Sequence, residues 1–440
     1  MDRLTGDPIL GPKLLSFACT WLALGAIFLV SLRSERGGTA GHVLTVLALG
    51  AFLLFDPVVI FTAGKTWNHE VPACLLVLSV CAHVAALRRD SLAWIALSGA
   101  ACGLAVGTRL TVLPCLLPLF GLTFFFPVER KRRCALAAVF VGSATLALAP
   151  SIFFLATARD AFLFDNLQFP RLRLLDPENT RIQKTMSGWR KLRFFVKEVV
   201  LPSWPVFVAF GALLIPAIRR RLSAVDPTRS GLLVVAWTAL FLVLGCSLPS
   251  RYQYQHFFAL IPLLTLGLAL TGSGDGGPSP RRLLLPIGLV LLAGAGVVAA
   301  ITPGGKGNQP FPGWDDIRHR DEWFSSEAAD FGAELRRHVP DGRILTLAPA
   351  WPIAGGLRIY PEFATGPFAW RSARFVPVER RAEFHFVGPD ELAALLQKNP
   401  PGGILTSVED DDLEAPLIAY AQRHGYTPIK LSRKRLLWRP

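Results

Sequence analysis

Charged residues are scarce in this sequence. Only 18% of its 440 residues are Asp, Glu, Lys or Arg, whereas 52% are hydrophobic and the mean hydropathy is +0.41. A water-soluble domain carries about 25% charged residues, so this composition excludes an ordinary soluble protein. The charges stand in clusters, and many uncharged stretches between them approach the ~20 apolar residues that a helix needs to cross a bilayer.

Cysteine is also sparse, and it is absent after residue 246. The seven cysteines lie in or beside apolar stretches, and none shares a C-x-x-C spacing with another. This pattern excludes a disulfide framework and a zinc site of the usual spacing. It indicates buried structural thiols.

Basic residues exceed acidic ones by 14, but the excess has a particular place in the chain. Residues 302–440 contain 18 Lys and Arg and 18 Asp and Glu, so the whole excess lies in residues 1–301, beside the apolar stretches. Basic clusters between apolar stretches are typical of membrane proteins, not of a nucleic-acid-binding face. The expected partner is therefore a lipid bilayer, and no nucleic acid is expected.

The sequence predicts an α-helical polytopic membrane protein with about ten transmembrane helices in residues 1–301. The candidate spans are Leu14–Leu32, His42–Ala63, Val71–Leu87, Ser91–Val106, Leu110–Phe126, Ala135–Ala156, Val199–Ile218, Gly231–Leu248, Phe257–Leu270 and Leu283–Ile301. The fourth and ninth spans are short, and the fourth and fifth together also fit one re-entrant pair.

The orientation of these spans follows from the basic residues in the short loops. One alternating set of loops carries 14 Lys and Arg, and the other carries only Lys65, Arg109 and Arg251. Because basic loops stay in the cytoplasm, the second set is predicted to lie outside, together with both termini. The sequence is therefore expected to be that of a multi-pass protein of the bacterial inner membrane.

The remainder of the chain predicts a linker at residues 302–320 and a small extracytoplasmic α/β domain at residues 321–440. Helices are expected from near Asp321, over Pro389–Lys398 and over Leu413–His424, the last capped by Gly425. Strands are expected over Arg343–Leu347, Ile404–Ser407 and Pro428–Leu431. Glycines 99, 103 and 107 recur every four residues in the fourth span and predict close helix packing.

Three polar features occupy the predicted external ends of the spans. They are the segment that contains Lys65, Asn68 and His69, the Gly107-Thr108-Arg109 junction, and the segment that contains Arg251, Tyr252 and Tyr254. Arg109 stands between two apolar segments with almost no loop. An ionisable residue at such a depth is a functional candidate, and arginine binds phosphate with two hydrogen bonds at once.

A longer external loop, residues 157–198, mixes nine basic residues with aromatic ones. This combination suits an anionic lipid head group or a lipid-linked phosphate. The acidic runs at 315–316, 321–322 and 409–412 have a composition that binds divalent cations, but such runs are more often solvated loops or helix N-termini. No metal ligands are predicted from them.

In four motifs the chain resembles the multi-span glycosyltransferases of the GT-C fold, the branch that includes protein O-mannosyltransferases and lipid A aminoarabinose transferases. The motifs are Thr66–His69 (TWNH), Ala101–Thr111 (ACGLAVGTRLT), Phe164–Arg171 (FDNLQFPR) and Ser250–Pro262 (SRYQYQHFFALIP). The resemblance covers most of residues 1–301. It implies transfer of a sugar from a polyprenyl-phosphate donor outside the cytoplasm.

The resemblance implies roles for particular residues. Arg109, Arg251 and Lys65 are expected to bind the donor phosphate. The donor and acceptor pocket is expected to contain Asn68, His69, Asn166, Tyr252 and Tyr254. The long-loop motif usually continues with a Tyr-His pair, and this chain has Pro170 where that histidine would stand.

A larger departure concerns the start of the chain. The family begins with a cytoplasmic N-terminus, one span and a long external loop whose acidic residue is the catalytic base or helps to bind a divalent metal. This sequence begins where that loop would end, so we expect either a truncated gene model or a non-catalytic relative. Asp56 and Asp165 are weak candidates for a replacement acid.

The sequence is also compatible with two alternatives to a glycosyltransferase. One is a non-catalytic membrane scaffold or a relative that binds a lipid phosphate. The other is a transporter, which would usually show paired repeats and broken helices near mid-membrane. No internal repeat is evident and few charges fall at mid-span, so the first alternative is the stronger one.

Overall fold

The computed structural model of the protein describes residues 10–33, 39–63, 69–125, 128–173, 175, 188–219, 227–248, 253–270, 288–295, 297 and 324–440. The chain divides into two compact units. We call the unit made of Lys13–Phe153 and Met186–Phe311 the helical unit. We call the unit made of Met1–Pro12, Phe154–Thr185 and Pro312–Pro440 the mixed unit.

Long apolar stretches of the helical unit form helices because a helix satisfies its own backbone hydrogen bonds without water. Among the described residues, the α-helices include Leu10–Arg33, Thr39–Leu54, Pro57–Thr62, Glu70–Arg89, Leu92–Thr108, Leu116–Leu122, Arg130–Ala147, Ala149–Thr157, Gly188–Phe194, Trp204–Arg219, Pro227–Ser247 and Leu260–Leu270. Shorter 3₁₀ turns cover Leu110–Cys115, Thr123–Phe125 and Tyr254–Phe257, and a π-helical turn covers Phe195–Val200.

Three described helices are long and apolar enough to cross a bilayer: Gly11–Leu32, Glu70–Arg89 and Ser230–Ser247. The number rises to five if each of two bent pairs counts as one span. One pair is Arg130–Ala147 with Ala149–Thr157, bent by 57°, and the other is Gly188–Val200 with Trp204–Ile215, bent by 99°. Helix length and composition therefore support a membrane protein, but they do not support the predicted count of about ten spans.

Small residues allow two helices of the helical unit to pack closely, as the glycine spacing predicts. A Cβ atom at Gly99 would collide with the Ser143 hydroxyl and the Phe140 carbonyl. A Cβ atom at Gly103 would lie 2.5 Å from the Ala144 carbonyl oxygen. At Gly107 the nearest atom, the Ser151 hydroxyl, is at an ordinary 3.5 Å. Only the first two glycines are therefore required for the contact between helices Leu92–Thr108 and Arg130–Ala147.

The mixed unit contains a five-stranded sheet surrounded by short helices. The strands are β1 (Arg343–Leu345), β2 (Arg358–Ile359), β3 (Gly403–Thr406), β4 (Thr427–Lys430) and β5 (Leu436–Arg439), and their order in the sheet is β2-β1-β3-β5-β4. Strand β1 pairs in parallel with β2 and β3, whereas β5 pairs antiparallel with both β3 and β4.

The described α-helices that belong to the mixed unit are short apart from the first and the last of its C-terminal part. They are Arg159–Leu163, Phe169–Leu172, Phe324–His338, Ala350–Ala354, Pro367–Ser372, Val378–Arg381, Leu392–Lys398 and Asp411–Arg423. A π-helical turn covers Phe164–Gln168, and 3₁₀ turns cover Pro361–Phe363, Ala373–Phe375, Ala382–Phe384 and Ser432–Lys434.

The predicted strands and helices of the C-terminal region are present, with their ends shifted by up to three residues. Helix Phe324–His338 buries one face through Ala328, Phe331 and Leu335. Gly425 follows the last helix with a φ of +74°, the left-handed conformation expected of a helix cap. Strands β2 and β5 were not predicted, nor were the short helices Ala350–Ala354, Pro367–Ser372 and Val378–Arg381.

Candidate functional site

The structure brings together residues from three of the predicted external segments in the helical unit. His69 precedes helix Glu70–Arg89, Arg109 joins helix Leu92–Thr108 to the turn Leu110–Cys115, and His256 lies on the turn Tyr254–Phe257. All three line one cavity of about 10 Å³, with Thr111 and Gln255 among its other residues. We call these five residues the Arg109 cluster.

Arg109 reaches the cavity because the backbone changes direction at this residue. Its φ and ψ of −156° and 109° are extended, and its N–H still donates to the carbonyl oxygens of Ala105 and Val106 at the helix end. The backbone N–H of Arg109 is therefore hydrogen-bonded at the end of helix Leu92–Thr108, and the Arg109 side chain points away from the helix into the cavity. The guanidinium Nε donates to the Thr111 hydroxyl at 3.0 Å.

The Arg109 guanidinium also donates to the imidazole of His69. A guanidinium has no acceptor atom, so the imidazole must accept with a lone pair and must therefore be neutral. Burial, and after it the positive charge of Arg109, lowers the pKa of His69, which is consistent with this protonation state. A neutral imidazole whose pKa is lowered is a weak proton acceptor, so His69 is suited to positioning Arg109.

His256 is a residue of the cluster that sequence reasoning did not select. Its ring centroid lies 6.0 Å from that of His69, and its Nδ1 is buried without a hydrogen-bond partner in the described part of the chain. The thiol of Cys246 donates to the His256 carbonyl oxygen at 3.0 Å, which fixes the turn. The available signal was a polar residue at the mouth of an apolar segment, inside the motif SRYQYQHFFALIP.

The chemistry of the cluster favours an anion. Arg109 supplies a positive charge and forked N–H donors, which match phosphate or carboxylate. No carboxylate lines the cavity among the residues that the structure describes. The cavity has about the volume of one water molecule, so a phosphate group could enter only if the surrounding side chains moved.

Asp56 has a structural role that accounts for its burial. It caps helix Pro57–Thr62, because its carboxylate accepts from the N–H groups of Val58 at 2.8 Å and Val59 at 3.3 Å. The predicted second span is broken here, between Leu54 and Pro57. The ring of Tyr254 packs edge-on against Phe61 of the same short helix, with 5.4 Å between the centroids. Asp56 thus supports the helix on which Tyr254 rests.

Asp165 and Asn166 lie in the mixed unit, and both side chains are exposed. The Asn166 amide donates to the Phe162 carbonyl oxygen at 2.9 Å, one helical turn earlier. The aromatic residues of this motif, Phe164 and Phe169, are instead part of a cluster with Phe384 and Phe386. In the mixed unit the aromatic side chains of the motif FDNLQFPR therefore pack against other aromatic residues, and its polar side chains are exposed.

Other predicted site residues fall outside the described part of the chain. They are Lys65, Asn68, Arg251 and Tyr252. Another basic residue of the long loop is described: the Lys191 ammonium donates to the Ser247 carbonyl oxygen at 2.7 Å. A cation at the C-terminus of helix Pro227–Ser247 is stabilised by the helix dipole.

The described residues contain no set of ligands for a divalent metal. No group of three or more His, Cys, Asp and Glu side chains in these ranges could hold an ion. In the acidic run 409–412, Asp410 pairs with Arg371 at 3.2 Å. The neighbouring Glu414 accepts from the backbone N–H groups of Ser407, Val408 and Glu409. These contacts explain Asp410 and Glu414 structurally, and Asp411 and Asp412 lie in the first turn of helix Asp411–Arg423.

Comparison with known proteins adds no family to this description. A scan of the chain against protein-family models finds no match, and a search of curated protein sequences finds none either.

Proposed function

We propose that this protein is a membrane glycosyltransferase of GT-C architecture, with about ten spans and an extracytoplasmic C-terminal domain. It would transfer a sugar from a polyprenyl-phosphate donor to an acceptor on the outer side of the bacterial inner membrane. The observation that carries the proposal is the Arg109 cluster, because three segments predicted to be external contribute to one anion-suited cavity.

The length of one helix fits a membrane crossing that separates the Arg109 cluster from a pair of arginines. Helix Glu70–Arg89 has 20 residues and is therefore about 30 Å long, which equals the thickness of the hydrocarbon core. His69 of the Arg109 cluster precedes its first residue, and Arg88 and Arg89 end it. With the double arginine in the cytoplasm, the cluster lies at the external surface, where a lipid-linked sugar would be used.

In the proposed reaction Arg109 binds the donor phosphate and stabilises it as a leaving group. The bond between the sugar and the phosphate oxygen breaks, and its electron pair stays on the phosphate. The acceptor hydroxyl forms the new bond and loses its proton to a base. Neither Asp56, which caps a helix, nor His69, which binds Arg109, is well suited to be that base.

The binding step is tested by titrating a polyprenyl phosphate into the purified full-length protein in nanodiscs. We expect Arg109→Ala to weaken binding on the order of 10- to 100-fold, because a hydrogen bond to a charged group contributes about 1.5–3 kcal/mol. Arg109→Lys should recover only part of the affinity, since lysine keeps the charge but lacks the fork. Arg423→Ala is the control, because Arg423 is exposed in the C-terminal domain, which is also predicted to be external, and lies outside the loop 157–198. Equal affinity of Arg109→Ala and the parent protein would remove Arg109 from the site.

A second candidate function is a non-catalytic protein that binds a lipid phosphate. The specific observation in its favour is the absence of a carboxylate from the cavity lining within the described residues. The two functions are separated by incubating the protein with a radiolabelled polyprenyl-phosphate sugar and acceptor membranes. Transfer that Arg109→Ala abolishes supports the transferase, whereas donor binding without transfer or hydrolysis supports the second function.

A further inference from the structure

A second and larger cavity lies in the helical unit, away from the Arg109 cluster. Its volume is about 470 Å³, and it lies between helices Leu10–Arg33, Glu70–Arg89 and Leu92–Thr108. This volume falls in the range of about 300–1,000 Å³ that small-molecule sites occupy. The lining is aliphatic over most of its length and includes Leu78 and Ala100.

The cavity is polar at one end only. Arg88 and Arg89, the last two residues of helix Glu70–Arg89, contribute to its lining and are exposed. The Arg89 guanidinium carbon lies 5.7 Å from the centroid of the Trp94 ring, which also lines the cavity. His69 of the Arg109 cluster adjoins the opposite end of the same helix, about 30 Å away. The two sites are therefore separate.

We propose that this cavity binds one acyl chain of an anionic glycerophospholipid, whose phosphate lies against Arg88 and Arg89. The aliphatic wall matches the chain, and the two arginines match the negative head group. Leu97 and Leu104, which line the cavity, are about half exposed, so the cavity opens sideways toward the lipid. A tryptophan at the boundary between the two parts is the residue that membrane interfaces favour.

Charge complementarity distinguishes this occupant from other apolar ones. A hydrophobic helix of a partner protein would not require two adjacent arginines at one end of the cavity. A zwitterionic phospholipid would bring a positive group close to Arg88 and Arg89, so its head group would be attracted less strongly than an anionic one. The predicted cytoplasmic position of Arg88 and Arg89 also fits, because anionic lipids are concentrated in the cytoplasmic leaflet.

The head-group part is tested by native mass spectrometry of the full chain with equimolar phosphatidylglycerol and phosphatidylcholine. We expect one phosphatidylglycerol to be retained in preference. Arg88→Gln/Arg89→Gln should reduce that preference on the order of 30-fold, from two arginines near the surface. Arg423→Gln/Lys430→Gln removes two exposed charges from the mixed unit and should leave the preference unchanged.

The acyl-chain part is tested with phosphatidylglycerol that carries bromine on its acyl chains, which quenches nearby tryptophan. Ala100→Phe narrows the cavity and should reduce the saturable part of the quenching, whereas Ala93→Phe, on an exposed position of the same helix, should keep it. Trp94→Phe should remove the same part of the signal. Circular dichroism checks that each variant is folded.

Three results would overturn the proposal. The first is equal retention of phosphatidylcholine, and the second is an unchanged lipid preference in the double arginine variant. The third is displacement of phosphatidylglycerol by an equimolar polyprenyl phosphate, which would assign the cavity to a lipid carrier. The Arg109→Ala protein is expected to keep phosphatidylglycerol, so a failure of the proposed donor site and a failure of this one are distinguishable.

Discussion

A substitution of Phe164 most directly tests how the segment 164–172 is packed within the mixed unit. Only 2% of Phe164 is exposed, and its ring stacks on that of Phe384 with centroids 3.8 Å apart and planes within 4° of parallel. Phe386 approaches the same ring edge-on at 5.4 Å. We therefore expect Phe164→Ala to release residues 164–172 from the aromatic cluster.

The size of the effect follows from burial. Truncating a buried phenylalanine to alanine costs about 3–5 kcal/mol, because the side chain loses its transfer free energy and leaves a cavity. At about 1.4 kcal/mol for each tenfold change, the equilibrium for local opening should rise by two to three and a half orders of magnitude. Leu167→Ala is the control on the same turn. Leu167 is 50% exposed, so its truncation should cost under about 1 kcal/mol.

Hydrogen exchange measured by mass spectrometry on the detergent-solubilised full chain reports this equilibrium. The informative peptides cover 164–172, where the Phe169 N–H donates to the Phe164 carbonyl oxygen in the π-helical turn. Faster exchange there in Phe164→Ala, with Leu167→Ala close to the parent, is the expected result. If both variants exchanged within a fewfold of the parent, the stacked ring could not be what holds the segment.

Other predictions concern helix packing and a buried carboxylate. Gly99→Ala should lower the melting temperature of the purified protein, because its Cβ would collide with the Ser143 hydroxyl, whereas Gly107→Ala should be tolerated; equal melting temperatures would contradict the close contact. Glu414→Ala should cost about 3–5 kcal/mol, because three backbone N–H groups lose their acceptor, and unchanged hydrogen exchange at 407–409 would refute this. Burial raises the pKa of Glu414 above its ordinary 4.5, so the folded state holds this proton more tightly than the unfolded chain. Protection at 407–409 should then decline as the pH rises above 4.5, and Glu414→Gln should remove that dependence.

Local sequence patterns were sufficient for the three longest described C-terminal helices and for three of the five strands. Apolar residues at helical spacing predicted helix Phe324–His338, and short apolar runs predicted β1 and β3. Strand β4 was predicted as the strand that follows the last helix. Strand β5 was missed because its residues, LLWR, follow the basic run Arg433-Lys434-Arg435 and have no turn signal of their own. Its place between β3 and β4 depends on tertiary pairing, including a hydrogen bond of 2.9 Å from the Trp438 indole to the Thr406 hydroxyl.

Hydropathy predicted where apolar segments lie, but not where their helices break. The expected span His42–Ala63 is divided into Thr39–Leu54 and Pro57–Thr62. The signal was present in the sequence, because Asp56 precedes Pro57, and an acidic cap followed by proline is a typical helix start. A sliding average of hydropathy does not show the break at Asp56 and Pro57, because the flanking stretches are apolar enough to keep the average high.

The Arg109 cluster shows what topology adds to local pattern. His69, Arg109 and His256 are separated by 40 or more residues, and no motif spacing connects them. Loops that alternate along a membrane chain return to the same surface, so charge counting could place the loops of His69 and Arg109 on one side. It could not select His256, which carries no assigned charge and lies beside the stronger candidates Arg251 and Tyr252. Packing of the turn Tyr254–Phe257 brings the His256 ring to the cavity, and that step depends on tertiary contacts that a loop-by-loop count of charges does not contain.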